Sequence, residues 1–248
     1  MSRPVFYPTH VLEGSTVTVT GEAVGFEARH LSDRDVQSLY LDTGFSGTRT
    51  ILAQWTASDP VPAVDTWIVP PGHGLVGVAL SLQSSPDNAA WTTRDTVTPV
   101  TTAAIFRPLP GGPYTLAWWR LTMTGATSAP YLSELYLTQG FPIPLSPRLN
   151  GTDGLVSDVT RVVTPGGFVR LGRNWGPRWH ANWTLPMWTA SQWATALASV
   201  FPIIDAKPFY LTDVDGVLRW VTLVAPAWLG TGVIPTVRDL QLVLEAAA

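Results

Sequence analysis

The chain of 248 residues contains no cysteine, which excludes disulfide bonds and thiolate metal sites. It is also poor in charge, because Asp, Glu, Lys and Arg make up 13% of the residues, against roughly 25% in ordinary globular proteins. No uncharged apolar run reaches about 18 residues, so we expect no membrane insertion. The start of the chain lacks the basic and apolar pattern of a secretory signal, and we expect assembly in a reducing cytoplasm.

Twelve tryptophans accompany this low charge. Interfaces between subunits are depleted in charge and enriched in aromatic residues, so the composition indicates a subunit whose surface is largely covered by neighbours. The alternative is a monomer whose loops are coated with Ser, Thr, Pro and Gly. The net charge of -3 offers nucleic acid no attraction, and we expect no nucleic acid partner.

The first 140 residues consist mainly of short alternating segments separated by turn residues, and their spacing is typical of a β-sandwich or jelly roll. Alternation between residues 115 and 124 places Trp118 and Arg120 on one face and Trp119, Leu121 and Met123 on the other. The predicted strands are 17–20, 50–55, 66–69, 76–82, 91–97, 115–124 and 131–137.

A proline-rich segment at 142–149 is predicted to be a stiff linker. Residues 150–248 beyond it are predicted to form a smaller α+β domain, in which one amphipathic helix packs on a sheet. The helix is predicted at 189–201, because Thr189 and Gln192 have the spacing of a capping box. Its apolar stripe is predicted to consist of Trp193, Leu197, Val200 and Phe201.

The sequence shows no catalytic constellation. The four histidines lack metal-ligand spacing, and the G-x-G-x-x-G match at 72–77 precedes a predicted strand instead of a helix. A glycosidase needs two carboxylates facing each other across a cleft. No spacing selects such a pair among Glu22, Glu27, Asp65, Asp87 and Glu134. We therefore predict no catalytic, cofactor-binding or metal-binding residues and no enzymatic activity.

The segment "RNWGPRWHANW" at 173–183 interleaves cations with tryptophans, a pattern that can stack on bases or sugars. Because the chain is acidic overall, a packed aromatic cluster or a contact between subunits is the favoured interpretation. The residues predicted for such an interface are Trp175, Trp179, Trp183 and Trp188.

Three segments of the first half resemble the end of a discoidin-like, galactose-binding-type jelly roll. They are "SLQSSPDNAAWTT" (81–93), "YTLAWWRLTMTG" (114–125) and "APYLSELYL" (129–137). The resemblance extends over nearly all of the first 140 residues and implies a jelly-roll β-sandwich at 1–141. The family binds sugars, lipids or proteins through variable loops. The cysteine pair that often ties the ends of extracellular members is missing, which argues against a secreted adhesive role.

The second half is similar to the terminal domain of minor tail proteins of long-tailed bacteriophages. The residues that carry this similarity are W-x-L at 183–185, the helix rich in Trp and Ala, "KPFYLTDVDGVLRWVTLV" (207–224) and "DLQLVLEAA" (239–247). It implies a structural virion protein that forms a homo-oligomeric ring at the tail tip and is assembled in the host cytoplasm. Its partners would be copies of itself and tail proteins such as the tail tube and hub, with the β-sandwich projecting or bracing neighbours.

A carbohydrate-binding module used for adsorption to a glycan of the host cell surface is the alternative function. Such a module needs exposed aromatic residues on loops at one end of the jelly roll, together with polar groups that fix sugar hydroxyls. The tryptophans predicted to contact a glycan are Trp55, Trp67 and Trp91.

Overall fold

The structure is a computed structural model of the chain. It describes residues 3–44, 46–143, 148–156, 159–163, 169–173, 178–189, 191–192, 195–196, 200, 204, 207–227 and 237–246, with side chains of the second half described in part. Contacts divide the chain into two units. The first is Tyr7–Gly140, and the second consists of Met1–Phe6 and Phe141–Ala248.

The described part of the chain is mainly β, as the sequence predicts. Its strands are β1 Val5–Tyr7, β2 Ser15–Val19, β3 Tyr40–Leu41, β4 Arg49–Trp55, β5 Thr66–Val69, β6 Ala79–Ser85, β7 Thr92–Val97, β8 Ile105–Pro108, β9 Trp118–Thr124, β10 Tyr131–Leu132, β11 Tyr136–Thr138, β12 Phe141–Pro142, β13 Arg148–Val156, β14 Val159–Val163, β15 Val169–Arg173, β16 Arg178–Thr189, β17 Phe209–Thr212, β18 Leu218–Ala227 and β19 Val237–Ala246.

The first unit is a sandwich of antiparallel sheets. The larger sheet has the strand order β2-β4-β9-β6-β7, the smaller one has the order β11-β5-β8, and β3 pairs with β10. Both sheets contribute to one buried apolar cluster, which contains Ile51 and Leu82 from the larger sheet and Trp67 and Leu137 from the smaller one. The jelly-roll β-sandwich that the sequence predicts is confirmed.

The two tryptophans of β9 lie on opposite faces of the sheet, as the alternation predicts. Trp119 is 1% exposed, and Leu121 and Met123 are fully buried with it in the core. Trp118 and Arg120 point the other way and are half-buried. The larger sheet therefore has an inner face, which packs in the core, and an outer face, which carries the second tryptophan.

Some strand limits differ from the prediction for local reasons. The strand predicted at 76–82 begins at Ala79, because Gly77 has a φ of 77° and the Val78 N–H donates to the Leu75 carbonyl in a turn. The strand predicted at 131–137 is divided into the short strands β10 and β11. Strand β8, which pairs with β5, is not among the predicted strands.

The second unit contains a seven-stranded sheet of order β12-β1-β17-β18-β19-β16-β13 and the separate hairpin β14-β15. Strand β1 of this sheet comes from the start of the sequence. Its Phe6 is fully buried and meets Phe209 of β17 edge to face, with the ring centroids 5.5 Å apart. Of the predicted linker at 142–149, Pro142 belongs to β12, whereas residues 144–147 lie outside the described residues.

The predicted capping box is present in the second unit. The Gln192 side-chain oxygen accepts the Thr189 N–H at 3.0 Å, and the Thr189 hydroxyl accepts the Gln192 N–H at 3.3 Å. Ala196, Val200 and Ile204 are buried at helical spacing. Of the predicted stripe, Val200 is 2% exposed, and Trp193, Leu197 and Phe201 lie outside the described residues.

None of the helices in the described ranges is long and apolar enough to cross a membrane.

Replacing the inner tryptophan of β9 should destabilise the fold far more than replacing the outer one. We expect Trp119→Ala to lower the free energy of unfolding by about 3 to 5 kcal/mol, because it removes a fully buried aromatic side chain and leaves a cavity. Trp118→Ala is the matched control and should cost clearly less, since Trp118 is half-buried. Urea unfolding of both variants checks this, and equal losses would contradict the assignment of the two faces.

Candidate functional site

The outer face of the five-stranded sheet presents amide, hydroxyl and aromatic side chains at its outward positions. The outward positions are Thr16, Thr18, Thr50, Leu52, Gln54, Ala79, Ser81, Gln83, Thr93, Thr96, Trp118, Arg120, Thr122 and Thr124, of which Leu52 and Ala79 are aliphatic. None of these fully described positions carries a carboxylate, and Arg120 is the one cation among them. Such a surface offers neutral hydrogen-bonding groups beside an aromatic ring.

Trp91 joins this face immediately before β7 and is held there by the turn at 85–91. The Asp87 carboxylate accepts the N–H groups of Ala89 and Ala90 at 2.9 and 3.0 Å and the Ser85 hydroxyl at 3.0 Å. These bonds, with the Ala90 and Ala89 N–H groups contributing most, lower the pKa of Asp87. The indole N–H of Trp91 donates to the Asn88 carbonyl at 3.2 Å. The ring is therefore oriented before any ligand arrives.

Arg120 reaches across the sheet and stacks on Trp91, with the guanidinium carbon 4.1 Å from the ring centroid. Its Nε donates to the Gln83 side-chain oxygen at 2.5 Å, and the Gln83 amide nitrogen donates to the Thr93 hydroxyl at 3.2 Å. Burial lowers the pKa of Arg120 from its ordinary value. We call the set Gln83, Trp91, Thr93, Trp118 and Arg120 the Trp91 platform.

Trp118 completes the platform from the strand next to β6. It pairs with Gln54 of β4 on one side and with Ser85 of β6 on the other. Trp91 immediately precedes β7, so the two tryptophans lie on either side of the same end of β6. With strands about 4.8 Å apart, the backbones that carry them are separated by about 10 Å.

Trp67, one of the tryptophans predicted to contact a glycan, is a core residue. It is fully buried, and its indole N–H donates to the Asp95 carboxylate at 2.9 Å. Arg107 donates twice to the same carboxylate, at 2.9 and 2.8 Å. Although burial opposes ionisation, these bonds lower the pKa of Asp95. The prediction placed Trp67 wrongly, because no ligand can reach a ring without exposed surface.

Trp55 also points away from the outer face. It has the same strand parity as Ile51 and Ala53, which are buried. Its ring lies so close to Gly14 that a Cβ there would come within 2.2 Å of it. The indole N–H is used by the Asp59 carbonyl at 3.0 Å. Of the predicted glycan contacts, only Trp91 therefore stands on the open sheet face.

The predicted interface tryptophans lie in the second unit. Trp183 is fully buried in the apolar core of that unit, so its side chain has no surface to offer another subunit. Trp175 lies outside the described residues. Trp179 and Trp188 belong to β16, and their side chains are outside the described part.

An open cavity of about 360 Å³ lies in the second unit beside the start of the helix. Three of its polar lining residues already form local hydrogen bonds: Gln192 closes the capping box, Ser191 bonds the Thr189 hydroxyl and the Thr195 hydroxyl donates to the Ser191 carbonyl. The remaining lining residues are Arg3, Phe141, Pro142 and Ile143. The sheet face is the better candidate, since its polar groups flank two half-buried aromatic rings.

Glu134, a carboxylate weighed for glycosidase chemistry, is fully buried in the first unit. Neither of its oxygens has a well-formed hydrogen-bond partner. Burial raises the pKa of Glu134 to about 8, with Asp33 and Glu13 adding to the rise and Arg34 opposing it. A carboxyl without exposed surface cannot protonate a substrate from this position. Among the residues with described side chains, no group of three or more His, Asp or Glu could hold a metal ion.

Solved structures similar to this chain include carbohydrate-binding modules. A chitosan-binding module of a chitosanase/glucanase from Paenibacillus sp. IK-5 is 17% identical with a TM-score of 0.46, and the match covers 53% of this chain and 99% of the module. A CBM32 module from Clostridium perfringens, solved with GalNAc-β-1,3-galactose, is 12% identical with a TM-score of 0.44 and coverages of 53% and 100%. A pectin-binding module is 14% identical with a TM-score of 0.40 and coverages of 50% and 89%.

No protein-family model matches the chain, and no curated protein matches it. The structural likenesses cover about half of this chain and do not identify a ligand.

The buried carboxyl predicts a pH-dependent stability. Glu134 has a pKa of about 8 in the folded protein and 4.5 when unperturbed, so between these values only the unfolded chain has lost its proton. Stability should therefore fall as the pH rises from about 4.5 to about 8 and level off above that. Glu134→Gln should remove this slope and stabilise the protein at high pH by up to about 5 kcal/mol, at about 1.4 kcal/mol for each pKa unit.

Urea unfolding at about pH 5 and about pH 9 measures the effect. Asp59→Asn, at an exposed loop position, removes a carboxylate without touching the buried cluster and should keep the wild-type slope. If Glu134→Gln and the parent chain follow the same curve, Glu134 is ionised in the folded protein and the buried position is wrong.

Proposed function

We propose that the first unit binds carbohydrate through the outer face of its five-stranded sheet. The observation that carries the proposal is the Trp91 platform, in which an oriented indole, a stacked guanidinium and the Gln83 side-chain amide share a sheet face with Trp118. Sugar rings have apolar C–H faces and a polar rim of hydroxyls. Aromatic rings flanked by a few fixed polar groups match both parts of such a ligand.

The platform is built in advance of binding. Asp87 and Asn88 fix the turn before Trp91, and Gln83 holds Arg120 at 2.5 Å. Since less side-chain entropy remains to be lost, more of the contact energy can appear as affinity. Arg120 stacks on one face of Trp91, and the half-buried ring keeps part of its surface for a sugar.

Charge favours neutral or acidic glycans over cationic ones. Arg120 is the one cation among the outward positions of the sheet, and these positions carry no carboxylate to pair with an amino sugar. We expect chitosan, a polyamine when protonated, to bind more weakly than uncharged sugars.

The role we propose is binding without catalysis. Among the described residues of the first unit, Glu134 is the carboxyl with a strongly raised pKa, and it is fully buried.

Assembly into a phage tail stays a prediction from sequence resemblance. Of the tryptophans proposed to form a ring interface, Trp183 is buried within its own unit, and the side chains of the others are outside the described part. A glycan-binding unit would fit such a protein as the part that adsorbs to a host surface. The carbohydrate proposal does not depend on this context.

Removing either platform tryptophan should weaken glycan binding. We expect Trp91→Ala and Trp118→Ala each to raise the Kd at least about tenfold, a loss of about 1.4 kcal/mol, because each removes an apolar surface for a sugar ring. Calorimetric titration of the full chain with GalNAc-β-1,3-galactose, pectin and chitosan provides a neutral, an acidic and a basic probe.

Phe26→Ala is the matched control, because Phe26 is an exposed aromatic residue away from the five-stranded sheet, and binding should be unchanged. Circular dichroism of each variant shows whether the sandwich is intact. If Trp91→Ala and Trp118→Ala bind as well as the parent chain, or if no neutral or acidic glycan binds it, the proposal is wrong.

A further inference from the structure

A groove runs along β6 on the outer face, at the opposite end of the strand from the tryptophans. Its volume is about 310 Å³. The floor is formed by the small residues Ala79 and Ser81, whereas the neighbouring strands carry larger hydroxyl side chains. The lining residues from these neighbours include Thr96, Thr98, Thr122 and Thr124. We call this channel the hydroxyl groove.

The sheet register puts these side chains in rows across three strands. Ser81 pairs with Thr122 of β9 on one side and with Thr96 of β7 on the other, and Ala79 pairs with Thr124. Because side chains alternate with period two, Ser81 shares its face with Gln83, the next outward residue of β6. The hydroxyl groove therefore ends one outward position before Gln83 of the Trp91 platform.

The hydroxyls of the groove are available to a ligand that both donates and accepts hydrogen bonds. Thr122 donates to the Ser81 carbonyl at 3.3 Å and Thr124 to the Ala79 carbonyl at 3.4 Å, so both oxygens keep lone pairs for a donor. In the fully described stretch 46–143, no hydrogen bond uses the Ser81 or Thr96 hydroxyl. These two can donate as well as accept.

No charge lies along the groove, whose lining consists of threonine, serine, alanine, leucine and valine. A charged polymer would find no counter-ion there, and a peptide would find the backbone groups of β6 already used by β7 and β9. From Trp118 to Thr124, β9 extends about 20 Å, which is room for several sugar rings in a line.

We propose that the hydroxyl groove and the Trp91 platform form one elongated site, which binds a linear, uncharged polysaccharide lengthwise along β6. This inference rests on the proposed carbohydrate binding and adds the chain form and charge of the ligand. Rings at the platform stack on the indoles, and the following rings exchange hydrogen bonds with the threonine and serine hydroxyls. Affinity should then increase with the number of sugar units.

The test is a length series measured by calorimetry on the full chain, from the monosaccharide to the hexasaccharide. Cello-oligosaccharides, manno-oligosaccharides and N-acetylchito-oligosaccharides serve as uncharged probes. For the series that binds, we expect the Kd to fall at least about tenfold between the disaccharide and the hexasaccharide.

Two variants locate this gain in the groove. The double variant Thr96→Val with Thr122→Val keeps the shape and the strand preference of both residues but removes their hydroxyls, and Ala79→Leu obstructs the floor at an exposed position. Both should bind the disaccharide like the parent chain and lose the gain with length. Thr18→Val, on the same face but on strand β2, is the matched control and should keep it.

Each outcome has a distinct meaning. Binding that depends on Trp91 but does not strengthen with length would overturn the elongated site and leave the proposed function intact. A length gain that survives in both groove variants would also overturn it, because the additional rings would lie elsewhere. If Trp91→Ala does not weaken binding, or if the parent chain binds none of the probes, both the proposed function and this inference are wrong.

Discussion

The alternation of side chains along β9 decides which surface of the sandwich is core and which is open to a ligand. Trp119, Leu121 and Met123 fill the interior. Because side chains alternate along a strand, Trp118 and Arg120 lie on the opposite face. A shift of one residue in register would exchange the two sets, placing Arg120 in an apolar core at a large cost in free energy. The position of the platform thus follows from the packing of the core.

Hydrogen bonds orient the side chains on the outer face of the sheet. The turn before Trp91 is closed by Asp87, and the indole is held by the Asn88 carbonyl. Arg120 links β9 to Trp91 and, through Gln83, to Thr93 of β7. These contacts connect three strands of one rigid sheet, and sites built on rigid elements keep their geometry better than sites on loops. The small side chains at the other end of β6 leave a groove on the same face of the sheet.

The sequence predicted the fold class and the two faces of β9, because period-two alternation is a direct consequence of strand geometry. The same alternation places Trp55 on the inner face, because it has the parity of the buried residues Ile51 and Ala53. Trp67 was harder to place, since all four residues of β5 are buried and alternation gives no outward face there.

The partners of Trp91 could not be predicted from the sequence. Gln83 and Arg120 are 37 residues apart, and only the pairing of β6 with β9 brings them together. The groove depends in the same way on strand order, because Thr96, Ser81 and Thr122 become neighbours only through two ladders. Local patterns specify the strands, whereas the site arises from contacts between residues distant along the chain.

The most direct test of the outer-face site is an NMR titration of the isotope-labelled chain with the glycan that binds most tightly. We predict that backbone amide and tryptophan indole shifts change within β6, β7, β9 and the turn at 85–91, with the Trp91 and Trp118 indole signals among the most affected. Shift changes confined to the rest of the chain, with both indole signals unmoved, would contradict the account.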